Sequence, residues 1–315
     1  MGEGADVAQL SMELSIELAR GAAADGGARA AELERAAAAA YVDPRTVPAR
    51  FSLLKLMAEC PAKYREACQQ DQDDSLAARL GAASSGDRSG ALLFGTAVHA
   101  LLLGKPIALY PGPVRRGKVF DAFRTDCEAK GVVAILIESE WGPVHAVADA
   151  IRRHKTATRL LLDGSTIEQR IDWTWLGKAM RSTPDAWKLG SHVAELKTAV
   201  SAKPEHFVRQ GLRLYYHAQA ALYGTCLDET GRGGVGDVYV IAVEKRRPHP
   251  VSVLRFTERV LEVGARLCRR WIEHLLVCER ANEWPDYISG IGEFDLDDDR
   301  EFSGGIEVDG ERVEW

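Results

Sequence analysis

The sequence predicts an α+β fold, and three observations carry that prediction. Helical patterns fill most of the first half; residues 166–199 switch to short stretches rich in β-formers; and residues 258–281 return to one long amphipathic helix. The composition is that of an ordinary globular protein, 46% hydrophobic and 27% charged over 315 residues, long enough to bury a sizeable core.

Residues 1–47 are rich in Ala and Gly, with helix-forming stretches at 7–19 and 28–41 split by Gly26-Gly27. Pro44 and Pro48 then punctuate the chain, so this segment is expected to be a helical N-terminal arm. The folded domain is expected over residues 48–290. It opens with Ser52 as an N-cap and Leu53, Leu56 and Met57 at helical spacing, ending near Pro61. Residues 70–90, dominated by Asp, Ser and Gly, read as a surface loop. Residues 91–103 form an apolar run long enough for a buried helix, and 118–130 and 138–155 predict two more helices.

Residues 166–175 alternate as a strand, Gly177 makes a turn, and residues 178–187 return. A second turn at Leu189-Gly190-Ser191 leads into a strand over 192–199. Residues 204–227 predict a helix with Pro204 in its first turn, where its missing N–H costs nothing. A strong strand over 235–244, a weaker one over 251–256 and the closing helix complete the domain. Residues 291–315 form an acidic tail carrying Glu293, Asp295, Asp297, Asp298, Asp299 and Glu301.

Bulk charge narrows little. The net charge is −6, unhelpful for binding phosphates, yet much of the acid lies in the tail. Basic clusters stand at Arg115-Arg116-Gly117-Lys118, Arg152-Arg153-His154-Lys155, Lys245-Arg246-Arg247 and Arg269-Arg270, each by itself an ordinary solvated face. The six cysteines form no CxxC pair and predict reduced, buried thiols rather than zinc or disulfides. No run approaches the ~18 apolar residues of a membrane span, and the acidic start lacks a signal peptide's basic-then-apolar order. A cytoplasmic protein with no membrane partner is expected.

The chemistry concentrates in Pro184-Asp185, nine intervening residues, then Glu195-Leu196-Lys197. Residues two apart on a strand share a face, so Glu195 and Lys197 project together while Leu196 points into the core. Asp185, on the adjoining strand across a turn, comes up beside them. Two carboxylates hold a hard divalent cation, and a lysine neutralises charge that builds on a phosphoryl group. Alternating acid and base is common on solvated strands, so this pattern gains weight only from its surroundings.

Those surroundings are a series of landmarks. Phe51-Ser52-Leu53-Leu54 and Cys60-Pro61-Ala62-Lys63-Tyr64-Arg65 come first, then Phe94-Gly95-Thr96-Ala97-Val98-His99-Ala100-Leu101-Leu102 and Glu168. Pro184-Asp185, Glu195-Leu196-Lys197-Thr198 and Tyr216-His217-Ala218-Gln219-Ala220-Ala221-Leu222-Tyr223 complete the order. The series resembles the RecB/RecE-like branch of the PD-(D/E)xK nuclease superfamily, in particular the RecE nuclease domain of phage-type exodeoxyribonuclease VIII. The resemblance implies a restriction-endonuclease-like core, a mixed sheet with flanking helices. It implies Asp185, Glu195 and Lys197 as catalytic residues, and Mg²⁺ or Mn²⁺ held by His99, Glu168, Asp185, Glu195 and the Leu196 carbonyl. It also implies that Gln219 and Tyr223, one helical turn apart, line a DNA channel; Arg115, Arg116 and Lys118 are the basic residues that would add phosphate contacts.

Two departures stand out: Glu replaces the branch's more frequent Asp at 195, and Ala186-Trp187 follow Asp185 where an arginine is common. The function implied is exonucleolytic hydrolysis of linear duplex DNA from 5′ ends, leaving 3′ single strands for recombination. Its implied partners are duplex ends, a single-strand annealing protein and further copies of the chain in a ring. The competing readings are a non-catalytic DNA- or partner-binding module on the same fold, and a related endonuclease or single-strand nuclease. Read alone, His99 in its apolar helix is a core histidine, Glu168 is evenly balanced between facing solvent and facing the site, and Trp173, Trp175 and Trp187 are core or sheet cover.

Overall fold

The computed structural model describes residues 42–70, 87–232, 236–287 and 291, together with the backbone of residues 306–308 and 311–313. The expected N-terminal helices at 7–19 and 28–41 and the acidic run from 293 to 301 lie outside the described residues.

The chain enters through helix α1 (Phe51–Leu54), a 3-10 turn and α2 (Pro61–Gln70), followed by the long helix α3 (Asp87–Leu103). Next come strand β1 (Ile107–Tyr110), α4 (Lys118–Ala129), β2 (Ala134–Ile137), α5 (Glu138–Arg153) and α6 (Lys155–Leu162). Five strands follow: β3 (Thr166–Ile167), β4 (Ile171–Trp175), β5 (Lys178–Ser182), β6 (Ala186–Lys188) and β7 (His192–Ala199). The last described part comprises α7 (Pro204–Arg213), α8 (Tyr216–Glu229), β8 (Asp237–Glu244), β9 (Val251–Arg255), α9 (Glu258–Ala281) and a hairpin of β10 (Ile306–Val308) with β11 (Glu311–Val313).

The main sheet has five strands in the order β3-β6-β7-β8-β9. It is mixed: β7 and β8 run parallel, while the other neighbours are antiparallel. Both faces are covered. Trp187, Val193 and Val238 join Trp173, Trp175, Leu222, Trp271 and Leu275 in one core, built from the β4–β5 hairpin with α1, α2, α8 and α9. Ala186, Ala194, Leu196, Ile241 and Val243 face a second core formed with α3, α5, α6 and the β1–β2 pair. A central strand buried on both sides needs a near-continuous apolar run rather than clean alternation, and β7 accordingly has five consecutive buried residues. All three tryptophans expected as core are buried.

The expected α+β class and mixed sheet with flanking helices hold, while several local readings do not. Residues 166–175 are two strands in different sheets, because Glu168 takes φ 40 and turns the chain between them. Alternation cannot reveal such a bend. The return over 178–187 is likewise split: Thr183-Pro184 interrupts it, and proline has no N–H for a ladder. β4 and β5 instead close a tight hairpin through Leu176 and Gly177, both at positive φ, which suits the right-handed twist of paired strands.

The single helix expected over 204–227 is two, broken at Tyr215, which adopts φ 60 and ψ 31. Residues 87–90 belong to α3 rather than to a loop. Arg50, not Ser52, occupies the N-cap position of α1, and the Ser52 hydroxyl accepts from Arg50 Nε at 2.8 Å. The parallel β1–β2 pair, in a region expected to be helical, has strands of only four residues each, too short to show a period.

Close backbone packing holds α9 on the site-bearing helix α8. A Cβ at Gly264 would stand 2.3 Å from the His217 carbonyl oxygen, so a side chain there would push the two helices apart. All six cysteines are free and buried.

Candidate active site

The register of the sheet sets the first pair. β6 and β7 are antiparallel with Ala186 opposite Ala194, so one further step brings Asp185 level with Glu195. Hydrogen bonds fix this arrangement. The Asp185 N–H donates to Glu195 Oε1 at 3.1 Å, and the Leu196 N–H donates to Asp185 Oδ2 at 2.7 Å. Both carboxylates are buried, Asp185 at 8% and Glu195 at 4% exposure, which polar groups tolerate only when so partnered.

Lys197 lies two residues further along β7 on the face of Glu195. Its Nζ donates to Glu195 Oε2 at 3.0 Å and to Gln219 Oε1 at 3.0 Å. Gln219 Nε2 in turn donates to the Tyr223 hydroxyl at 3.1 Å, across one turn of α8. The Lys197 ammonium also stands 5.2 Å from the ring centroid of Tyr216.

A second group converges from the other layer. His99 on α3 brings Nδ1 to 3.5 Å from Asp185 Oδ1. Donor atoms of His99, Glu168 and Asp185 all lie within 4.8 Å of one another. Two carboxylate oxygens and an imidazole nitrogen gathered this closely are a donor set that would suit a divalent cation. Glu168 reaches the group because its positive-φ bend turns the chain and its N–H bonds the Asp185 carbonyl at 3.0 Å. Its Oε2 is buried without an aligned hydrogen bond among the described residues and is paired by charge with Lys105 Nζ at 2.6 Å. A hard oxygen donor held this way suits a cation.

The electrostatics follow from crowding charges out of water. Burial raises the Glu195 carboxyl to about 7, and the Asp185 charge pushes in the same direction. For Asp185 burial acts upward too, but the nearby His99 and Lys197 charges and the Leu196 N–H outweigh it and hold that carboxyl below the usual range. Burial opposes the charged forms of His99 and Lys197, yet the carboxylates beside them raise both.

Two cavities meet at Lys197. One, about 880 Å³, is lined by His99, Glu168, Lys105, Lys197, Tyr216 and Lys245, with the Leu196 backbone strand as part of its wall. The other, about 540 Å³, takes Arg50, Lys55, Arg170, Arg181, Gln219 and Tyr223.

Of the residues singled out by sequence, His99, Glu168, Asp185, Glu195, Leu196, Lys197, Gln219 and Tyr223 therefore gather in one region. Glu195, expected as a second central ligand, lies on the strand beside Asp185. Its oxygens are engaged by the Asp185 N–H and by Lys197, and it stands outside the three-donor group of His99, Glu168 and Asp185.

Arg115, Arg116 and Lys118 line neither cavity. Arg115 Nε donates to the Ile135 carbonyl at 2.9 Å and its guanidinium pairs with Glu140, so it braces β2 against α5 rather than reaching for phosphate. Lys105 has no signal in the sequence, and Tyr216 stands there only at the head of the landmark helix, with no role of its own. Neither belongs to the D-x9-E-x-K spacing, and only the folded chain brings them in.

The matching family model, described as a PDDEXK-like domain of unknown function (DUF3799), covers residues 50–295. The chain belongs to this family. Its PDDEXK-like domain spans the whole of the described core, from the α1 helix past the end of α9. No curated protein matches the chain. Among solved structures, the PDDEXK-like domain is similar to a "Putative exonuclease" from Eubacterium rectale with a TM-score of 0.55 at 15% identity, over 76% of this chain and 84% of that one. An alkaline exonuclease (LHK-Exo) from Laribacter hongkongensis also aligns, at 15% identity and a TM-score of 0.29, over 59% of this chain and 94% of that one. The first likeness is one of fold; the second is too distant to add to it.

Proposed function

We propose that this PDDEXK-like domain is a divalent-metal-dependent nuclease, and more specifically an exonuclease acting on linear duplex DNA. The observation that carries the reading is the junction of two groups around Asp185. His99 and Glu168 gather at its carboxylate, while its backbone N–H holds Glu195, which in turn holds Lys197. A structural ion-pair network has no need of a histidine and a half-paired glutamate aimed at one point from different layers.

The residues support a division of labour. A divalent cation, when bound, polarises a phosphoryl group and makes water more acidic. His99, Glu168 and Asp185 are the side chains that would hold it, with Glu195 and the Leu196 carbonyl on the adjoining strand as further oxygen donors. Lys197 donates toward the charge that builds on the phosphoryl oxygens, its ammonium aimed by Glu195 and Gln219. Gln219 and Tyr223 border the path of a strand past the lysine. The cavity beyond, with Arg50, Lys55, Arg170 and Arg181, has the charge that a phosphodiester backbone requires.

The finer reading follows the RecE-like resemblance: Mg²⁺ or Mn²⁺ as the ion, digestion from 5′ ends to leave 3′ single strands, a cytoplasmic recombination role beside an annealing protein, and assembly into a ring. The test is 5′-end-labelled linear duplex with Mg²⁺, wild type against Asp185→Ala, with covalently closed circular DNA alongside. The proposal expects label release as nucleotides from linear DNA by wild type alone, with circles left intact. Cleaved circles would make the enzyme an endonuclease. Equal release by wild type and Asp185→Ala would remove the assigned site.

A further inference from the structure

We propose that Tyr216 is a positioning residue for Lys197, its ring face holding the ammonium in line with the cleft where the two cavities meet. The kinetic part of this inference rests on the nuclease reading; the geometric part does not.

Lys197 has three donors. Two are directed by acceptors, Glu195 Oε2 and Gln219 Oε1, both at 3.0 Å. Two contacts alone leave a long, flexible stem free to pivot about the line joining them. The Tyr216 ring, 5.2 Å from Nζ at its centroid, supplies the third wall. A ring face attracts a cation within about 6 Å, more strongly where water is excluded, and the Lys197 side chain is only 19% exposed. The ring's attraction carries no net charge, so unlike another carboxylate it restrains the ammonium without neutralising it.

Tyr216 is itself unusually constrained. It is the first residue of α8, directly after Tyr215 at φ 60. That left-handed conformation is uncommon for a residue with a side chain, and such positions persist where the surroundings over-determine them. Here the surroundings are visible. The Tyr215 ring stands edge-on to Trp271 with centroids 5.1 Å apart, and the Tyr216 ring lies 5.8 Å from that of Phe207. Behind it, α7 passes so closely that a Cβ at Gly211 would meet Tyr216 Cδ2 at 3.1 Å. The kink between α7 and α8 thus delivers one ring to one place. That place is the partition: Tyr216 and Lys197 line both the 880 Å³ and the 540 Å³ cavity. Burial also raises the Tyr216 phenol, with the Lys197 charge opposing, which keeps the ring neutral.

The test separates ring face from bulk and from hydroxyl. In protein with 13C- and 15N-labelled lysine, the Lys197 side-chain signals, assigned by their loss in Lys197→Arg, are expected upfield in wild type because of the ring current. Tyr216→Phe is expected to retain that shift and Tyr216→Leu to lose it. In nuclease assays Tyr216→Leu is expected to lower kcat roughly tenfold with little change in KM, the size of one partly buried cation–ring contact, and Phe to restore most of it.

If the Leu variant does not fold, Gly211→Ala, whose Cβ at 3.1 Å from Tyr216 Cδ2 asks the ring to give by a few tenths of an ångström, is expected to move the lysine signals by a smaller amount instead. Lysine signals unchanged in both Tyr216→Leu and Gly211→Ala overturn the inference. So does a Phe variant as impaired as Leu, which would make the hydroxyl the working group. A wild type that shows the shift but cuts no DNA sinks the nuclease reading and leaves the placement of Lys197 standing.

Discussion

Burying ionisable groups side by side costs free energy unless each finds a partner, and the site residues differ in how that requirement is met. Asp185 has three kinds of partner and stays acidic; Glu195, next to it, is pushed up to about 7 by burial and by that neighbour's charge. His217, outside the site, offers a cleaner case. It is 5% exposed, its Nδ1 has no hydrogen-bond partner among the described residues, and burial lowers its pKa below the ordinary 6.5. A histidine lowered in the folded state favours folding fully above the unfolded value. That contribution fades as pH falls from about 6.5 through the lower folded value, because only the unfolded chain takes up the proton there. The melting temperature of the wild type is therefore expected to drop more steeply below pH 6.5 than that of His217→Gln. Parallel curves in calorimetry would show that His217 is not buried neutral.

At the scale of elements, what positions the site is the attachment of the β4–β5 hairpin and α8 to the long helix α9. The hairpin is fastened by Lys178, 3% exposed, whose ammonium pairs with Glu279 near the end of α9. It also reaches the Pro44 and Arg45 carbonyls at 3.4 and 3.3 Å. Removing one member of a buried pair leaves the other charge without its counterion. Glu279→Ala is expected to cost about 3–5 kcal/mol in urea unfolding, while the double change Lys178→Met with Glu279→Leu costs far less. A double variant as unstable as the single one would show that the pair contributes net stability instead of merely satisfying itself. The same scale explains which elements were legible. The helices over 118–130, 138–155 and 258–281 and the strand over 192–199 announced themselves because each is long enough to show a period. β1 and β2, the break at Tyr215 and the bend at Glu168 did not, because four-residue strands and single left-handed residues leave almost no pattern in a sequence.

For the whole molecule, the three-donor group joins α3, the bend after β3 and the residue entering β6, so a bound cation would tie these three segments together. A ligand that binds only the folded state stabilises it, by about 2.7 kcal/mol at a concentration 100 times its Kd. Mg²⁺ or Mn²⁺ is expected to raise the melting temperature by several degrees, chelation to reverse this, and Asp185→Ala to abolish the increment. An equal rise in Asp185→Ala would place the cation elsewhere.

By itself the sequence determined the α+β class, the succession of long elements and the Asp185, Glu195 and Lys197 spacing, since periodicity and a two-residue repeat are local properties of a chain. It also supplied Gln219 and Tyr223 as a helical pair. The three-dimensional fold alone decided that Arg115 braces β2 and α5 while Lys105 meets Glu168, that Glu195 is tied to Lys197 outside the donor group, and that Tyr216 faces the ammonium. Those outcomes depend on which distant segments touch, and contact between distant segments is decided by packing two cores onto one sheet rather than by any spacing along the chain.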